Sequence, residues 1–311
     1  MEKFVAPSKL LDHEFVQVIG QGGQGIVALY KNPINNEKIA VKFEGDDQSL
    51  LQEALLLQKI CDQGPFPKYI KHSSYQGKRY LAMQHLDYSI QDKVQEIQDL
   101  ELDEENKLEI QIQLMKEMLS CLRTFHDQGY VHRDIKPDNF RIHKDKVYLI
   151  DFGTAVKVSI DQEKEQKLRF KGTLEYSSIR CHQGKTPVMK DDLESFCYTL
   201  ISIFNQQNQL PWMNGIHEEQ AQINDQHHNY VSQQKQAYLL SQLDCSIIES
   251  VAIKLISEIN NQFQNPEMYD KVLENLDKIM TIYLALKNCQ KYQMRTQYNW
   301  QLNKLQKKMR D

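Results

Sequence analysis

The sequence predicts an α+β protein with two lobes, a small β-rich N-terminal lobe and a larger, mainly helical C-terminal lobe. Strand-like runs separated by turn residues fill residues 15–43, and apolar residues recur at helical spacing beyond residue 90. The 311 residues allow one two-lobed domain or two small domains, and the apolar (41%) and charged (26%) fractions are ordinary for a folded protein.

Three apolar runs open the N-terminal lobe, at Phe15–Ile19, Ile26–Tyr30 and Lys38–Phe43. Turn residues separate these runs at Gly20–Gly25 and Asn32–Asn36. Runs of this length with short connections predict an antiparallel meander. A helix follows over 48–61, ended by Gly64-Pro65-Phe66-Pro67, and two more strands are predicted over 68–74 and 79–84.

The C-terminal lobe is predicted to be helical. Its clearest helix has apolar residues three and four apart, which share one face that packs in the core; they are Leu108, Ile112, Met115, Leu119, Leu122 and Phe125. Short strands are predicted over 140–142 and 147–150, and largely helical structure from Asp191 onward. The Gln- and Asn-rich segment 205–242 predicts a solvated loop with short helices.

Bulk chemistry narrows the function classes. A net charge of −4 and a pI near 6.2 give no general reason to expect nucleic acid or an anionic membrane as a partner. The six scattered cysteines lack a C-x-x-C pair, so they predict neither a disulfide framework nor a zinc site and favour a reducing compartment. Residues 1–10 lack the apolar stretch of a secretory signal, and we expect a location in the cytoplasm, the nucleus or both.

Residues 20–27 form a G-x-G-x-x-G-x-V pattern between two predicted strands. Glycines at these positions let backbone amides approach and cover phosphate groups. The pattern alone also fits an ordinary Gly-rich hairpin. A dinucleotide-binding turn is disfavoured, because it requires a helix after the last glycine and Ile26–Tyr30 has a strand pattern.

Lys42 lies in the next predicted strand, and Glu53 lies on the predicted helix. The ammonium of Lys42 can hold the α- and β-phosphates of a nucleotide when an acid fixes its position, and Glu53 is the natural partner. Taken singly, each is more often a solvated residue, so the order of these elements along the chain is what favours a joint role.

The segment Val131–Phe140 contains an H-R-D-x-K-x-x-N string that chance does not explain. Asp134 supplies an acid that orients an attacking hydroxyl, Lys136 offsets charge on a transferring phosphoryl group, and Asn139 can ligate Mg²⁺. Asp151, in an Asp-Phe-Gly triplet after a short strand, can chelate Mg²⁺ that bridges β- and γ-phosphates. These elements occur in the order that phosphoryl transfer requires.

These motifs identify the chain as a member of the eukaryotic protein kinase family, with a resemblance from about Phe15 to at least Trp212. Three segments are similar to casein kinase I. The stretch 171–179 (K-G-T-L-E-Y-S-S-I) stands where most kinases have Ala-Pro-Glu. The stretch 191–198 (D-D-L-E-S-F-C-Y) resembles D-D-L-E-S-L-G-Y of that family, and 210–212 resembles its L-P-W.

The resemblance implies the two-lobed protein kinase fold, with an N-terminal extension (1–12), an N-lobe (13–86), a C-lobe (87–285) and a basic helical tail (286–311). It implies ATP and Mg²⁺ as cofactors. Lys136 and Thr173 imply protein substrates phosphorylated on serine or threonine, acidic substrates among them. It further implies that Asp192 braces the catalytic loop. We expect a monomer without a nucleic-acid or membrane partner.

The resemblance also assigns roles at the expected site, with Met83 as the gatekeeper and Gln84-His85-Leu86 as the hinge to adenine. The expected nucleotide-binding residues are Ile19, Gly20, Gln21, Gly22, Gly23, Gln24, Gly25, Val27, Ala40, Lys42, Met83, Gln84 and Leu86. The expected catalytic residues are Asp134, Lys136, Lys42 and Glu53, and the expected metal ligands are Asn139 and Asp151.

The chain departs from the casein kinase I pattern at several positions. Met189 and Lys190 stand where that family usually carries two arginines that help to bind acidic or phosphorylated substrates, so a preference for such sites stays open. Gly23 and Gln24 replace a serine and an aromatic residue, which predicts a floppier loop and somewhat weaker ATP binding. Cys197 replaces a glycine, which a small residue can tolerate.

Each of two basic stretches allows two interpretations of its role. Between Gly153 and Gly172, either activity needs no activating phosphorylation, or the basic loop stays solvated until a substrate arrives. The basic residues of 287–310 predict either a solvated helix face or a docking helix for an acidic partner.

Three function classes fit the kinase motifs: an active protein kinase, a pseudokinase scaffold that binds nucleotide or partners without turnover, and a small-molecule phosphotransferase of the aminoglycoside-kinase type. The active enzyme is favoured over the scaffold by the intact residues Lys42, Glu53, Asp134, Asn139 and Asp151. Gly172, Thr173 and Asp192 favour a protein substrate. We therefore predict a non-specific serine/threonine protein kinase.

Overall fold

The computed structural model describes residues 4–22, 25–45, 50–158, 170–204, 210–214, 225–241, 246–261, 267–284 and 287. Within these residues a β-sheet dominates the N-terminal lobe and helices dominate the C-terminal lobe, as predicted. Among the same residues, no helix combines the length and the apolar character that crossing a lipid bilayer requires.

The N-terminal lobe is built on one antiparallel sheet. Its elements are β1 (Lys9–Leu10), β2 (His13–Gly22), β3 (Gly25–Lys31), β4 (Lys38–Glu44), α1 (Leu50–Ile60), β5 (Tyr69–Tyr75) and β6 (Lys78–Gln84). The strand order is β1-β2-β3-β4-β6-β5. Between β5 and β6, φ is positive at both Gln76 (47°) and Gly77 (80°), a conformation whose twist suits a tight hairpin. The predicted strands and the predicted helix are confirmed.

The segment before β2 packs against this sheet. Phe4 and Leu10 contact the core of the lobe, and the Phe4 ring centroid lies 5.1 Å from that of Phe43. The buried hydroxyl of Tyr30 donates a hydrogen bond to the carbonyl of Pro7 (2.8 Å). Residues that the sequence assigned to an N-terminal extension therefore contribute to the core of the small lobe.

The C-terminal lobe combines helices with short strands. Its helices in the described residues are α2 (Ile90–Asp99), α3 (Glu104–Asp127), α4 (Ile179–His182), α5 (Met189–Phe204), α6 (Asp225–Ser241), α7 (Ile247–Asn261) and α8 (267–284). Its strands are β7 (Tyr88–Ser89), β8 (Tyr130–Val131), β9 (Phe140–His143), β10 (Lys146–Leu149) and β11 (Val156–Lys157). One small sheet has the order β10-β9-β7, and β8 pairs with β11.

Helix α3 forms the centre of this lobe. It begins after Asp103, whose carboxylate accepts a hydrogen bond from the amide of Asn106 (2.9 Å) and so caps the helix. The apolar face predicted from the spacing is buried, which confirms that prediction; its members are Leu108, Ile112, Met115, Leu119, Leu122 and Phe125. Burial of each such side chain contributes about 1.5–3 kcal/mol to folding.

The short strands position two functional loops. β8 ends at Val131 and β9 begins at Phe140. The loop 132–139 therefore connects β8, which pairs with β11, to β9, which pairs with β10. Phe140 lies opposite Leu149 in the hairpin of β9 and β10. Because Leu149 ends β10, the loop that begins at 150 leaves the same end of the hairpin as the loop 132–139, and the two loops are brought together.

The structure corrects the prediction for segment 205–242, which was a solvated loop with short helices. Helix α6 alone spans 17 residues of it, and its side chains Val231 and Lys235 are buried. A glutamine-rich helix has a weak apolar period, so contacts with distant parts of the chain determine its burial. Residues 205–209, 215–224 and 242 lie outside the described residues, as does the predicted basic tail 286–311 apart from Lys287.

Candidate active site

Lys42 lies between two carboxylates where the lobes meet. Its Nζ donates hydrogen bonds to Glu53 Oε2 (2.8 Å) and Asp151 Oδ1 (2.7 Å). Lys42 comes from β4, Glu53 from α1 and Asp151 from the loop after β10, so this contact joins both lobes. The side chains of Lys42 and Glu53 are buried, whereas that of Asp151 is 25% exposed. The pairing of Lys42 with Glu53 that the sequence suggested is present.

The charges in this cluster stabilise one another. Burial disfavours the charged form of Lys42, but the carboxylates of Glu53 and Asp151 outweigh burial and raise its pKa above the ordinary value. Burial also opposes ionisation of Asp151, yet the adjacent Lys42 ammonium holds the pKa of Asp151 below its ordinary value. One ammonium between two carboxylates leaves a net negative charge, which favours binding of a cation.

Asp134 is the centre of a second polar cluster, in the loop between β8 and β9. The Thr173 hydroxyl donates to Asp134 Oδ1 (2.7 Å), and the Lys136 ammonium lies 3.0 Å from Oδ2. Lys136 also donates to the Thr173 hydroxyl (2.9 Å). The side-chain amide of Asn139 donates to the carbonyl (2.7 Å) and Oδ2 (3.2 Å) of Asp134. The carboxylate of Asp134 thus holds a hydroxyl and an ammonium at the same time.

His132 connects the two functional loops. The amide of Asp134 donates to His132 Nδ1 (3.3 Å), so the ring proton lies on Nε2, which donates to the carbonyl of Ile150 (3.0 Å). The ring of Phe152 packs edge-on against His132 (centroids 5.6 Å apart) and stacks on Phe125 (5.1 Å). These contacts fix the loop of Asp134 relative to the loop of Asp151.

The buried carboxylate of Asp192, on α5, anchors the same catalytic loop. Its Oδ2 accepts from the amide of His132 (2.6 Å) and its Oδ1 from the amide of Arg133 (2.8 Å). Arg133 has a left-handed backbone (φ 72°), which is uncommon for a non-glycine residue. The backbone conformation that orients Asp134 therefore depends on Asp192, in agreement with the role that the resemblance implied.

Two further residues support Asp192 and were not among the predicted site residues. His126 Nε2 lies 2.8 Å from Asp192 Oδ2, and the Tyr269 hydroxyl contacts His126 Nδ1. Asp192 and Tyr269 follow His126 by 66 and 143 positions in the sequence. No local pattern marks such contacts, so the sequence offered no signal for them.

Segment 172–178, which includes Thr173, borders the site next to Asp134. Gly172 has φ +123°, and a Cβ there would lie 2.4 Å from the carbonyl oxygen of Arg133, so no other residue fits without strain. The Ser177 hydroxyl donates to the Thr173 carbonyl (2.8 Å). This segment is therefore packed directly against the catalytic loop.

The strand register places predicted nucleotide-binding residues on one face of the sheet. Val27 lies opposite Lys42, and Ala40 lies opposite Met83. Opposed residues of antiparallel strands project to the same face, as do residues two apart in one strand, so all four residues share a face. Apolar side chains and one ammonium on a single face suit a nucleotide base and its phosphates.

The glycine-rich turn joins β2 and β3 at the end of this face. Gly20 lies opposite Val27, and Gly22 lies opposite Gly25. Gly25 has φ +130°, and a Cβ there would lie 1.9 Å from the carbonyl oxygen of Phe43, which excludes a side chain at this position. Gly25, the first residue of β3, therefore lies close against the backbone of β4.

The other predicted nucleotide-binding residues that the structure describes lie on β2, at the end of β6 and shortly after β6. Ile19 and Gln21 are exposed on β2. The amide of Gln84 donates to the Lys68 carbonyl (2.9 Å), and Leu86, which follows, is buried. Gly23 and Gln24 lie outside the described residues, so their part in ATP binding stays a prediction.

Asn139 and Asp151 offer oxygen ligands of the kind that Mg²⁺ prefers. The amide nitrogen of Asn139 bonds to Asp134, which leaves its amide oxygen for a cation. In the part of the chain that the structure describes, no three His, Cys, Asp or Glu side chains form a metal site of their own. A Mg²⁺ ion here would need water or phosphate oxygens as its remaining ligands.

Comparison with known protein families gives a match over most of the chain. The family model described as "Protein kinase domain" matches residues 13–299. The match therefore includes strands β2 to β6 of the small lobe, both functional loops and the described helices of the large lobe.

Individual relatives are kinases of modest identity. A probable serine/threonine-protein kinase of Dictyostelium discoideum is 34% identical over 209 residues, 63% of this chain and 41% of that protein. A probable casein kinase I homolog of Encephalitozoon cuniculi is 29% identical over 215 residues (66% and 65%). Casein kinase I homolog 2 of Schizosaccharomyces pombe is 28% identical over 240 residues (72% and 52%). The matched part thus spans between 41% and 65% of the length of these relatives.

Proposed function

The chain belongs to the protein kinase family, and we propose that it transfers the γ-phosphoryl group of MgATP to serine and threonine hydroxyls of proteins, as a non-specific kinase resembling casein kinase I. The observation that carries this proposal is the Thr173 hydroxyl, which donates to Asp134 Oδ1 at 2.7 Å. A substrate hydroxyl has to make the same contact in order to be oriented for attack. The names of its relatives support this reaction class.

In this mechanism Asp134 accepts the hydrogen bond of the attacking hydroxyl. Lys136 lies 3.0 Å from the same carboxylate and adds positive charge beside the phosphoryl group as it transfers. Asn139 holds Asp134 from the other side through two hydrogen bonds, so the acid cannot turn away from the hydroxyl.

Lys42 is proposed to hold the α- and β-phosphates of ATP. Its contact with Glu53 keeps the ammonium in one position, which is the condition for in-line geometry at the γ-phosphate. Mg²⁺ bound by Asn139 and Asp151 would neutralise charge on the β- and γ-phosphates. The side chains on the same sheet face, Val27 and Ala40, are then placed to contact the base.

The test of this proposal is phosphoamino-acid analysis of casein labelled from ATP by the purified protein. Label on serine or threonine is the expected result. Label on tyrosine, or label on a small-molecule hydroxyl in preference to casein, would contradict the assignment of a serine/threonine protein kinase.

We further propose that the protein acts as a monomer in the cytoplasm, the nucleus or both, since its charge and cysteine pattern fit these settings.

The acidic preference is proposed to be weak, because Met189 replaces an arginine of the casein kinase I pattern at the start of α5. Met189→Arg is expected to raise kcat/KM for an acidic peptide several-fold, roughly one charge-assisted contact, and 0.5 M salt should remove most of the gain. The measurement is the ratio of kcat/KM for an acidic peptide to that for its neutral analogue. A ratio that does not change on substitution would show that Met189 does not lie near the bound substrate.

A further inference from the structure

Lys235, on α6, is a fully buried lysine (0% exposed). Its Nζ donates to the carbonyl oxygens of Ser177 (2.6 Å) and Leu174 (3.4 Å). The ammonium also lies 3.2 Å from His182 Nε2 and 4.4 Å from the ring centroid of Tyr198. Two main-chain carbonyls, an imidazole nitrogen and an aromatic face therefore surround this charge.

His182 completes this environment as a neutral acceptor. Burial and, to a smaller extent, the nearby charge of Lys235 together lower the pKa of His182 to about 2. The ring is therefore uncharged, and its Nε2 can accept a hydrogen bond from the ammonium. On its other side, His182 Nδ1 lies 3.0 Å from Nδ1 of His228, and the Phe170 ring stacks on His182. The ring is thus held from several directions.

The buried charge of Lys235 has a cost in folding stability. Burial lowers the pKa of Lys235 from 10.5 to about 7, although the nearby carboxylates of Glu194 and Glu175 oppose this shift. The unfolded chain binds this proton up to pH 10.5, so the cost of the buried ammonium is fully present below pH 7 and is relieved as the pH rises from 7 to 10.5. A methionine of similar length avoids that cost.

The carbonyls that Lys235 holds belong to segment 172–178, which contacts the catalytic loop. Trp212 donates its indole N–H to the Glu175 carbonyl (2.8 Å), and Lys235 lies 5.5 Å from the centre of the Trp212 ring. The carbonyls of Leu174, Glu175 and Ser177 thus accept hydrogen bonds from Lys235 or Trp212. Leu174 directly follows Thr173, whose hydroxyl donates to Asp134. A shift of segment 172–178 would therefore displace the Thr173 hydroxyl relative to the carboxylate of Asp134.

We propose that Lys235 is a positioning residue for the protein substrate, because it fixes segment 172–178 as the surface along which the polypeptide around the phosphoacceptor lies. The inference rests on the proposed kinase function. A hydroxyl bound at Asp134 must bring its flanking residues past Thr173 and Leu174. Lys235 contacts neither Lys42 nor Asp151 among its partners in the structure, so its effect should fall on the protein substrate and not on ATP.

The test uses the full chain with the substitution Lys235→Met. The matched control is Gln236→Met, which introduces methionine at an exposed position of α6. Lys235→Met removes both hydrogen bonds that Lys235 donates to segment 172–178, and it is expected to raise KM for casein by about tenfold or more, with KM for ATP unchanged. Amide hydrogen exchange in 172–178 should also become faster. Gln236→Met should match wild type in both measurements.

The possible outcomes separate this inference from the function on which it rests. A lower kcat with both KM values unchanged indicates only a loss of folded enzyme and overturns the inference. The same holds if Lys235→Met equals wild type. Absence of transfer by wild type overturns the proposed function and the inference together. If Lys235→Met does not fold, Lys235→Gln, whose side chain is shorter than that of lysine and uncharged, must show the raised KM for casein, and a wild-type KM would overturn the inference.

Discussion

Replacing Asp151 by asparagine is expected to lower kcat by roughly 10³-fold, since it removes a carboxylate that helps to neutralise charge in the transition state. Asparagine retains the volume of aspartate but has no negative charge to offer a cation. The loss should appear in kcat more than in the affinity for casein, because Asp151 contacts Lys42, which is proposed to hold the phosphates of ATP.

The fold should survive this substitution. Lys42 loses one partner but keeps Glu53 at 2.8 Å, so the buried ammonium stays paired with one carboxylate. Asp151 has a left-handed backbone (φ 63°), which asparagine also tolerates. The thermal unfolding midpoint is therefore expected to stay within about 4 °C of wild type, equivalent to about 1–2 kcal/mol in a domain of this size.

A matched control for Asp151→Asn is Asp145→Asn. Asp145 is exposed in the turn between β9 and β10 and has the same left-handed backbone (φ 58°), so the chemical change and the backbone demand are alike. This variant should retain wild-type kcat. Full activity of Asp151→Asn, measured with purified protein and Mg²⁺ in excess, would disprove the metal-ligand assignment.

Asp192→Asn is expected to lower both turnover and stability. The carboxylate accepts from the amides of His132 and Arg133, and an amide side chain would present an N–H to one of these donors. A buried donor without an acceptor costs about 1–3 kcal/mol in unfolding free energy. Because the same amides hold the catalytic loop, we expect kcat to fall by roughly 10²-fold, as for other losses of catalytic positioning.

The neighbouring residue provides the control for this prediction. Asp191 is also buried at the start of α5, but it accepts from the Ser178 hydroxyl (2.8 Å) and the Val188 amide (2.9 Å). Burial raises the pKa of Asp191 to about 6, so an uncharged side chain is expected to be tolerated at this position. Kinetics and denaturant unfolding of both variants compare them directly. An equal loss of kcat would mean that bracing of the catalytic loop is not specific to Asp192.

The parts of the site that the sequence predicted are those in which one short motif specifies one role. Lys42 and Glu53 were paired correctly because a strand lysine followed by a helix glutamate has few arrangements in a small antiparallel lobe. Asp134, Lys136 and Asn139 are close in sequence, so one motif places them in the same loop, where they contact one another. The strands were recognisable because turn residues separate short apolar runs.

The parts that the sequence did not predict depend on contacts between distant segments. Lys235 lies in a glutamine-rich stretch whose composition indicates solvent, and its burial depends on carbonyls 58 and 61 residues away. His126 reads as one more polar residue at the end of an amphipathic helix, although it lies against Asp192. The strand β1 has only two residues, too few to form a recognisable pattern.

The measurement that tests the central claim most directly is transfer of radiolabelled γ-phosphate from ATP and Mg²⁺ to casein by wild type, Asp134→Ala and Asp138→Ala. Asp138 is an exposed carboxylate of the same loop, so its variant controls for the chemical change. We expect wild type and Asp138→Ala to label serine or threonine and Asp134→Ala to leave casein unlabelled. Equal labelling by Asp134→Ala, or no labelling by a wild type that still binds ATP, would contradict catalysis at this site, and the second result would favour a nucleotide-binding scaffold.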